Sequence, residues 1–263
     1  MTTIYLKPHK EESLKRFHPW VFSGAIAKVV LDASHQASTP EEGELVCVRS
    51  SANECLGVGH WQVGSIAVRI LAFGEEALPA RFWNERLRAA YQVREAIGLI
   101  REPNSDPSLK GRENNTFRLV HGEGDFLPGL IVDVYADTAV AQAHSAGMHV
   151  CRNEIAKAIL EEVPQVKHVF YKSDDTLPFK APIEGDRVGW LINGGNGDVS
   201  LNGANGETDE FWSVENGLSF RIDWLRGQKT GFFIDQRENR ALVERYAKDK
   251  DVLNMFCYTG GFS

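Results

Sequence analysis

Hydrophobic and polar positions divide the chain into stretches of different period. Up to about residue 75 the apolar positions form short β-branched or aromatic runs: Trp20-Val21-Phe22, Glu44-Leu45-Val46-Cys47-Val48 and Ile66-Ala67-Val68-Arg69-Ile70-Leu71. Gly24, Gly43, Gly57, Gly59 and Gly64 punctuate them and no long helical pattern intervenes, which predicts a small β-barrel over residues 1–75. Helical spacing follows at Trp83, Leu87, Ala90/Tyr91, Arg94 and Ile97, with Pro79 near the start and Gly98 past the end. Together with the Pro-, Asn-, Ser- and charge-rich stretch Arg101–Asn115, expected to be an exposed loop, it makes a helix and linker over residues 76–115.

Residues 116–224 read as a strand-rich α+β unit. Phe117–Val120, Leu130–Tyr135, Ala139–Ala143 and Val166–Tyr171 have strand character, and His149–Glu162 has the pattern of a helix closed by Pro164. Gly185–Glu207, dense in Asn-Gly pairs, is expected to be a run of tight turns. It lacks the Asp-bearing nonapeptide period of a calcium-binding glycine repeat. From Leu225 the chain turns polar, then gives a helix carrying Leu242, Val243 and Tyr246. It ends with an apolar run, Val252–Phe256, expected to be a buried strand feeding the turn Tyr258-Thr259-Gly260-Gly261. Strand into glycine turn is how the first βα unit of a doubly wound sheet meets a nucleotide-type ligand, so residues 225–263 read as the incomplete beginning of such a unit. The expected fold class is therefore α/β with α+β.

Composition narrows the classes of function. Hydrophobic residues make up 43% and charged residues 25% of 263, ordinary for a globular chain. No signal peptide or membrane span is visible. Cys47, Cys55, Cys151 and Cys257 are scattered without a C-x-x-C pair, which argues for reduced thiols in a cytoplasm. The histidines show no metal-binding spacing, so no metal is expected. The net charge of −7 speaks mildly against a nucleic-acid partner, but the charge is uneven. Lys7, Lys10, Lys15, Arg16 and Lys28 face only Glu11 and Glu12 within the first thirty residues, a basic face compatible with RNA.

Two blocks carry candidate chemistry. Phe232-Phe233-Ile234-Asp235-Gln236-Arg237 sets a carboxylate, an amide and a guanidinium beside aromatics, just before a helix. Asp235 or Gln236 could cap that helix, or the group could line a pocket that receives an adenine ring, a sulfonium and a charged amino-acid moiety. The Gly260-Gly261 turn is open to two readings as well, a structural turn or a ligand loop.

Gly227-Gln-Lys-Thr-Gly-Phe-Phe-Ile-Asp-Gln-Arg-Glu-Asn-Arg240, followed by Val252-Leu-Asn-Met-Phe-Cys-Tyr-Thr-Gly-Gly-Phe-Ser263, resembles the PUA-containing class I S-adenosylmethionine-dependent RNA methyltransferases. The best-known members of that family methylate carbon 5 of a cytosine in large-subunit ribosomal RNA. Tyr5–Ile26 is similar to the start of the family's PUA domain, and Phe117–Asp133 to the opening of its central domain. Phe126 departs from the pattern, which usually has Gly there. Val134 stands where a basic residue is common, and residues 185–206 look like an insertion.

The resemblance implies a PUA-like barrel over 1–75, a central α+β domain over 116–224, the start of a methyltransferase domain over 225–263, and formation of 5-methylcytosine in 23S ribosomal RNA. It implies S-adenosylmethionine as cofactor, held by Phe233, Asp235, Gln236, Arg237, Tyr258, Thr259 and Gly260. Asn254 is a further contact or a strand-end amide. It implies RNA contacts from Lys7, Lys15, Arg16 and His18 to phosphates, with Trp20 and Phe22 either stacking a base or filling the barrel core. The family's nucleophilic cysteine and Asp-Pro-Pro motif would lie beyond Ser263, so no catalytic residue is assigned here, and the 263 residues alone are expected to lack turnover. A non-catalytic RNA-binding fragment and a methyltransferase acting on another RNA stand beside this expectation, and a homodimer is an expected assembly.

Overall fold

The structure is a computed structural model that describes residues 1–33, 38–101, 113–178, 183–194, 211–255, 257 and 260–262. Among them the first unit is a six-stranded sheet of order β2-β6-β5-β4-β1-β3. Its strands are β1 (Thr3–Leu6), β2 (Trp20–Phe22), β3 (Ile26–Val30), β4 (Leu45–Arg49), β5 (Cys55–Trp61) and β6 (Ile66–Phe73). A short helix, α1 (Glu12–Lys15), lies between β1 and β2. The pairing of β1 with β4 is parallel; the others are antiparallel. The two edge strands, β2 and β3, are consecutive in the chain and joined by a 3-10 turn, Ser23–Ala25, so the edges approach each other as a small barrel requires. Ile4, Leu6, Leu14, Val21, Val46, Val48, Leu56, Val68 and Ile70 fill its interior.

Helix α2 (Phe82–Ala96) leads to a five-stranded sheet of order β11-β10-β9-β8-β7. Strands β7 (Thr116–His121), β8 (Leu130–Tyr135) and β9 (Thr138–Ala143) form an antiparallel meander. Helices α3 (Ala146–Val150) and α4 (Arg152–Glu162) then cross over to β10 (His168–Lys172), which runs parallel to β9. Strand alternation assigns the two faces. Leu130, Val132 and Val134, with Ala139, Ala141, Val169 and Tyr171, pack under Leu87 of α2 and Ile155 and Ile159 of α4. Val58, Leu71 and Ala72 of the first sheet enter the same core, so the two sheets are continuous through it. The opposite face presents Tyr135, Val140 and Phe170 to Ile222, Trp224, Phe232 and Ile234 of the C-terminal segment.

Three expectations are corrected. The stretch expected to be turns after Gly185 begins with an edge strand, β11 (Val188–Asn193), antiparallel to β10. The Asn-Gly signal masked the apolar run Trp190-Leu191-Ile192; the later Asn-Gly pairs lie outside the described residues. The linker expected to be exposed ends in two buried amides, Asn114 and Asn115. Asn115 Oδ1 accepts from Ser213 Oγ at 3.0 Å and Val214 N at 2.7 Å, holding hairpin β12 (Trp212–Glu215)–β13 (Leu218–Arg221). Residues 102–112 of that linker lie outside the described residues. Helix α5 (Arg237–Ala247), where the sequence places a helix, buries Arg237 and Arg240 and leaves Leu242, Val243 and Tyr246 exposed. Residues 251–254 form no strand, and Val252, Leu253 and Met255 are exposed; among the described residues no strand pairs with them.

Among the described residues no helix is long and apolar enough to cross a membrane, and no three metal-ligating side chains gather.

Candidate functional site

The N-terminal candidates sit on one surface. Val21 is buried while Trp20 is half-buried and Phe22 exposed, so alternation along β2 turns both aromatics outward. The barrel-core alternative for them is thereby excluded. The His18 and Trp20 rings meet edge-on at 5.3 Å, and Trp20 and Phe22 at 6.3 Å. Trp20 Nε1 donates to Glu123 Oε1 at 2.9 Å, a contact reaching the 3-10 turn Gly122–Asp125 of the second unit. A cleft of about 350 Å³ between α1 and β2 is lined by Lys10, Leu14, Trp20 and Phe22. Among the cations, Lys7 Nζ donates to the Gly24 carbonyl at 2.8 Å and Arg16 Nε to the Glu12 carbonyl at 3.2 Å. These are neutral acceptors that leave the charge available to a phosphate. Lys15 is engaged by Glu54 at 2.9 Å, which raises its pKa. Lys10 lines the same cleft, and exposed Phe17 stands edge-on to Phe73; the position of Lys10 in the Lys10–Phe22 segment is the signal that could have found it.

The C-terminal candidates divide. Phe233 is half-buried with Lys229 Nζ 5.4 Å from its ring centre. Asp235 is exposed, and its charge adds to that of Asp133, whose hydrogen bond is the main cause of the raised Arg118 pKa. Gln236 occupies the N-cap position of α5 without capping the backbone; its Oε1 accepts from Asn239 Nδ2 at 2.8 Å. Asp235 and Gln236 thus do not cap the helix through their side chains, the first of the two readings left open by the sequence.

Arg237 has a different occupation. Its Nε lies 3.5 Å from Glu215 Oε2, and the same guanidinium donates to the Thr116 carbonyl. Arg240 shares that carboxylate, donating from Nε and a terminal nitrogen at 2.7 Å each, and donates to the Phe233 carbonyl at 3.0 Å. Its guanidinium lies 4.3 Å from the Phe232 ring centre. Burial lowers the Arg237 pKa, against the Glu215 charge. A second polar cluster binds the same segment to the central sheet. Asp133, fully buried, accepts from Arg118 at 2.8 and 3.0 Å and from Thr230 Oγ1 at 2.6 Å, and Thr230 meets the Tyr135 hydroxyl at 3.0 Å. Lys172 Nζ donates to the carbonyls of Trp224 and Gly227.

The glycine turn reaches this block. A Cβ at Gly261 would lie 3.5 Å from Phe232 and 3.8 Å from Arg240, so the turn packs on the Gly227–Arg240 block. Beside it a cavity of about 600 Å³ is lined by Phe220, Arg240, Val243, Asn254 and Phe262. Asn254 therefore faces this cavity, whereas Phe233, Asp235, Gln236 and Gly260 are not among its lining residues. Tyr258 and Thr259 lie outside the described residues. Burial pushes the Cys47 thiol up to about 11 and the Cys151 thiol up to about 12, so both stay protonated and poorly nucleophilic near neutrality.

Two family models match parts of the chain. A family model described as a PUA-like domain matches residues 4–73, and one described as S-adenosylmethionine-dependent methyltransferase matches residues 182–263. The chain is 36% identical over 264 residues to "Ribosomal RNA large subunit methyltransferase I" of Tolumonas auensis, covering 99% of this chain and 59% of that protein. It is 33% identical to the protein of the same name from Pseudoalteromonas translucida, covering 100% and 59%. The chain thus spans 59% of the length of these relatives. Among solved structures, a Streptococcus mutans protein provisionally assigned as a SAM-dependent methyltransferase superposes with a TM-score of 0.69 at 20% identity, covering 100% of this chain and 59% of that one. A methyltransferase of equally provisional assignment, complexed with SAH, gives 0.71 at 20% identity, covering 100% and 58%. Both likenesses concern the fold.

Proposed function

We propose that this chain serves S-adenosylmethionine-dependent methylation of large-subunit ribosomal RNA, with carbon 5 of a cytosine in 23S ribosomal RNA as the acceptor. The observation that carries the reading is the meeting of two blocks separated in sequence by helix α5: the glycine turn, at Gly261, lies on Phe232 and Arg240 of the Gly227–Arg240 block. The names of the relatives and the family match over residues 182–263 support it.

The donor set suits the cofactor. Phe233 offers a ring, Asp235 and Gln236 an accessible carboxylate and amide, and Gly260 backbone that a ligand can approach closely. Tyr258, Thr259 and Asn254 complete the proposed site. When bound, the cofactor supplies an electrophilic methyl group on a sulfonium. Arg237 acts through position: its ion pair with Glu215 fixes the start of α5 and so the orientation of Asp235 and Gln236. On the other unit, Lys7, Arg16 and His18 meet phosphates, Lys15 does so on leaving Glu54, and Trp20 and Phe22 stack bases. None of Cys47, Cys55, Cys151 and Cys257 is assigned as nucleophile.

The test is transfer of tritium from labelled S-adenosylmethionine to protein-free 23S ribosomal RNA by this protein. Label in 5-methylcytidine after nuclease digestion is the expected result. Label in another nucleoside would overturn the cytosine assignment, and unlabelled RNA the methyltransferase reading. Gln236→Ala and Gly260→Val should each weaken cofactor binding by calorimetry; unchanged affinity removes that residue from the site.

A further inference from the structure

Between the two units lies a cleft of about 490 Å³ that belongs to neither candidate site. Arg69 of β6 lines it from one side; His121, Gly122, Glu123 and the start of β8 line it from the other, with His144 following β9. Its size is that of a small-molecule or single-nucleotide site. Arg69 is half-buried and held in place by Gln62 Oε1 at 3.2 Å, which also accepts from Ala146 N at 3.2 Å. Burial lowers the Arg69 pKa, and the Glu123 carboxylate opposes that shift as it does at His144. The cleft walls desolvate His144, and with the Arg118 charge they lower its pKa although the ring remains accessible. One cation, one carboxylate and two imidazoles therefore converge on one space.

That lining is mixed in sign, so it suits neither a bare anion, which Glu123 opposes, nor an apolar molecule. It suits a ligand with a phosphate and a flat edge carrying donors and acceptors, which is a nucleotide. The cleft is also continuous with the aromatic surface. Trp20 is the cross-strand partner of Arg69 in the β2–β6 pairing, which places both side chains on one face, and Trp20 bonds Glu123 directly.

We propose that this inter-unit cleft is a subsite for one unpaired nucleotide of the RNA, adjoining the base stacked on Trp20, with Arg69 on its phosphate and Glu123, His121 and His144 along its base edge. The assignment rests on the RNA-binding part of the function proposed above. It extends the RNA path from the barrel surface into the central unit.

Fluorescence anisotropy with a labelled single-stranded RNA of roughly 12 nucleotides tests it. Arg69→Gln should weaken binding about ten-fold and His144→Ala about three- to ten-fold, with melting temperatures unchanged, while duplex RNA of the same sequence competes poorly. A 4-thiouridine RNA should photo-crosslink to peptides containing His121 or His144. If Trp20→Ala and Lys7→Ala weaken binding but Arg69→Gln and His144→Ala do not, the cleft assignment falls and RNA binding by the barrel stands. If the unaltered chain binds no RNA, both fall. Should Arg69→Gln not fold, His144→Ala, an accessible position, and the crosslink map decide. Equal affinity for duplex and single strand would overturn the unpaired-nucleotide assignment.

Discussion

The central sheet is joined to its two neighbours by opposite means. Toward the barrel the joint is made by close approach of nearly neutral groups. A Cβ on Gly147 would stand 2.0 Å from the His60 ring, that ring stacks on Trp83 at 6.3 Å, and its Nε2 lies 3.7 Å from the Cys151 sulfur. Toward the C-terminal segment the joint is made of charge: Glu215 with Arg237 and Arg240, Asp133 with Arg118 and Thr230, and Lys172 on two carbonyls. Both are buried, so each is intolerant of a different thing. The first cannot accept added volume or a proton, and the second cannot lose one member of an ion pair. The contrast also bears on function, because two arginines of the Gly227–Arg240 block are engaged by Glu215 and by backbone carbonyls of the fold.

The largest expected effect comes from the charged joint. Glu215→Gln strands two buried guanidinium groups and should cost about 3–5 kcal/mol in urea unfolding. The double variant Glu215→Leu/Arg240→Met should recover part of that loss. A cost below about 1 kcal/mol would show that water reaches the pair, and the contrast would fail.

Protonation is the corresponding probe of the barrel joint. Burial lowers His60 from 6.5 to about 4, so the unfolded chain binds the proton first as pH falls. Stability is therefore fully present above about pH 6.5 and is lost as pH falls toward about 4, by about 3 kcal/mol in all. Burial also lowers His149, so the measurement is the difference between melts of the natural protein and His60→Gln across that window. The variant should show the shallower dependence; parallel curves would remove His60 from the account.

Volume is the next probe. Gly147→Ala adds a methyl group where the His60 ring already stands, and overpacking of this kind costs about 1–3 kcal/mol, less a helix-propensity gain of about 1 kcal/mol. The loss should shrink in a His60→Ala background. Additive effects would place the clash elsewhere.

Alternation and glycine punctuation made much of the fold legible: β7, β8, β9, β10 and α2 lie close to where the hydrophobic pattern puts them. Orientation was less legible. In α5 the sequence marks a helix but not its buried face, and Glu215, distant in sequence, makes the Arg237/Arg240 side the buried one. A signal for Glu215 existed: Asn216-Gly217, both at positive φ, closes the β12–β13 hairpin directly after it. The Trp20 and Phe22 ambiguity could be resolved only by Val21 pointing inward, a matter of sheet register. Thr230 and Lys172 carried no signal, since a single Thr or Lys announces no partner. Phe126, where the resembling family usually has Gly, adopts φ 58, which explains that preference: the backbone there is left-handed.

The smallest effect concerns the polar rim of the barrel joint. Trp20→Phe keeps an aromatic face on β2 but deletes the N–H that donates to Glu123 at 2.9 Å. Because both groups reach solvent, the loss should be only about 0.5–1 kcal/mol in unfolding, far below the Glu215→Gln effect. RNA affinity separates the two roles of this side chain: stacking survives in Phe, so binding should change less than two- to three-fold, whereas Trp20→Ala should lose about ten-fold or more. If Trp20→Phe destabilises as much as Gly147→Ala, the barrel joint depends on its rim hydrogen bond, and the contrast between a close-packed joint and a charged one would have to be redrawn.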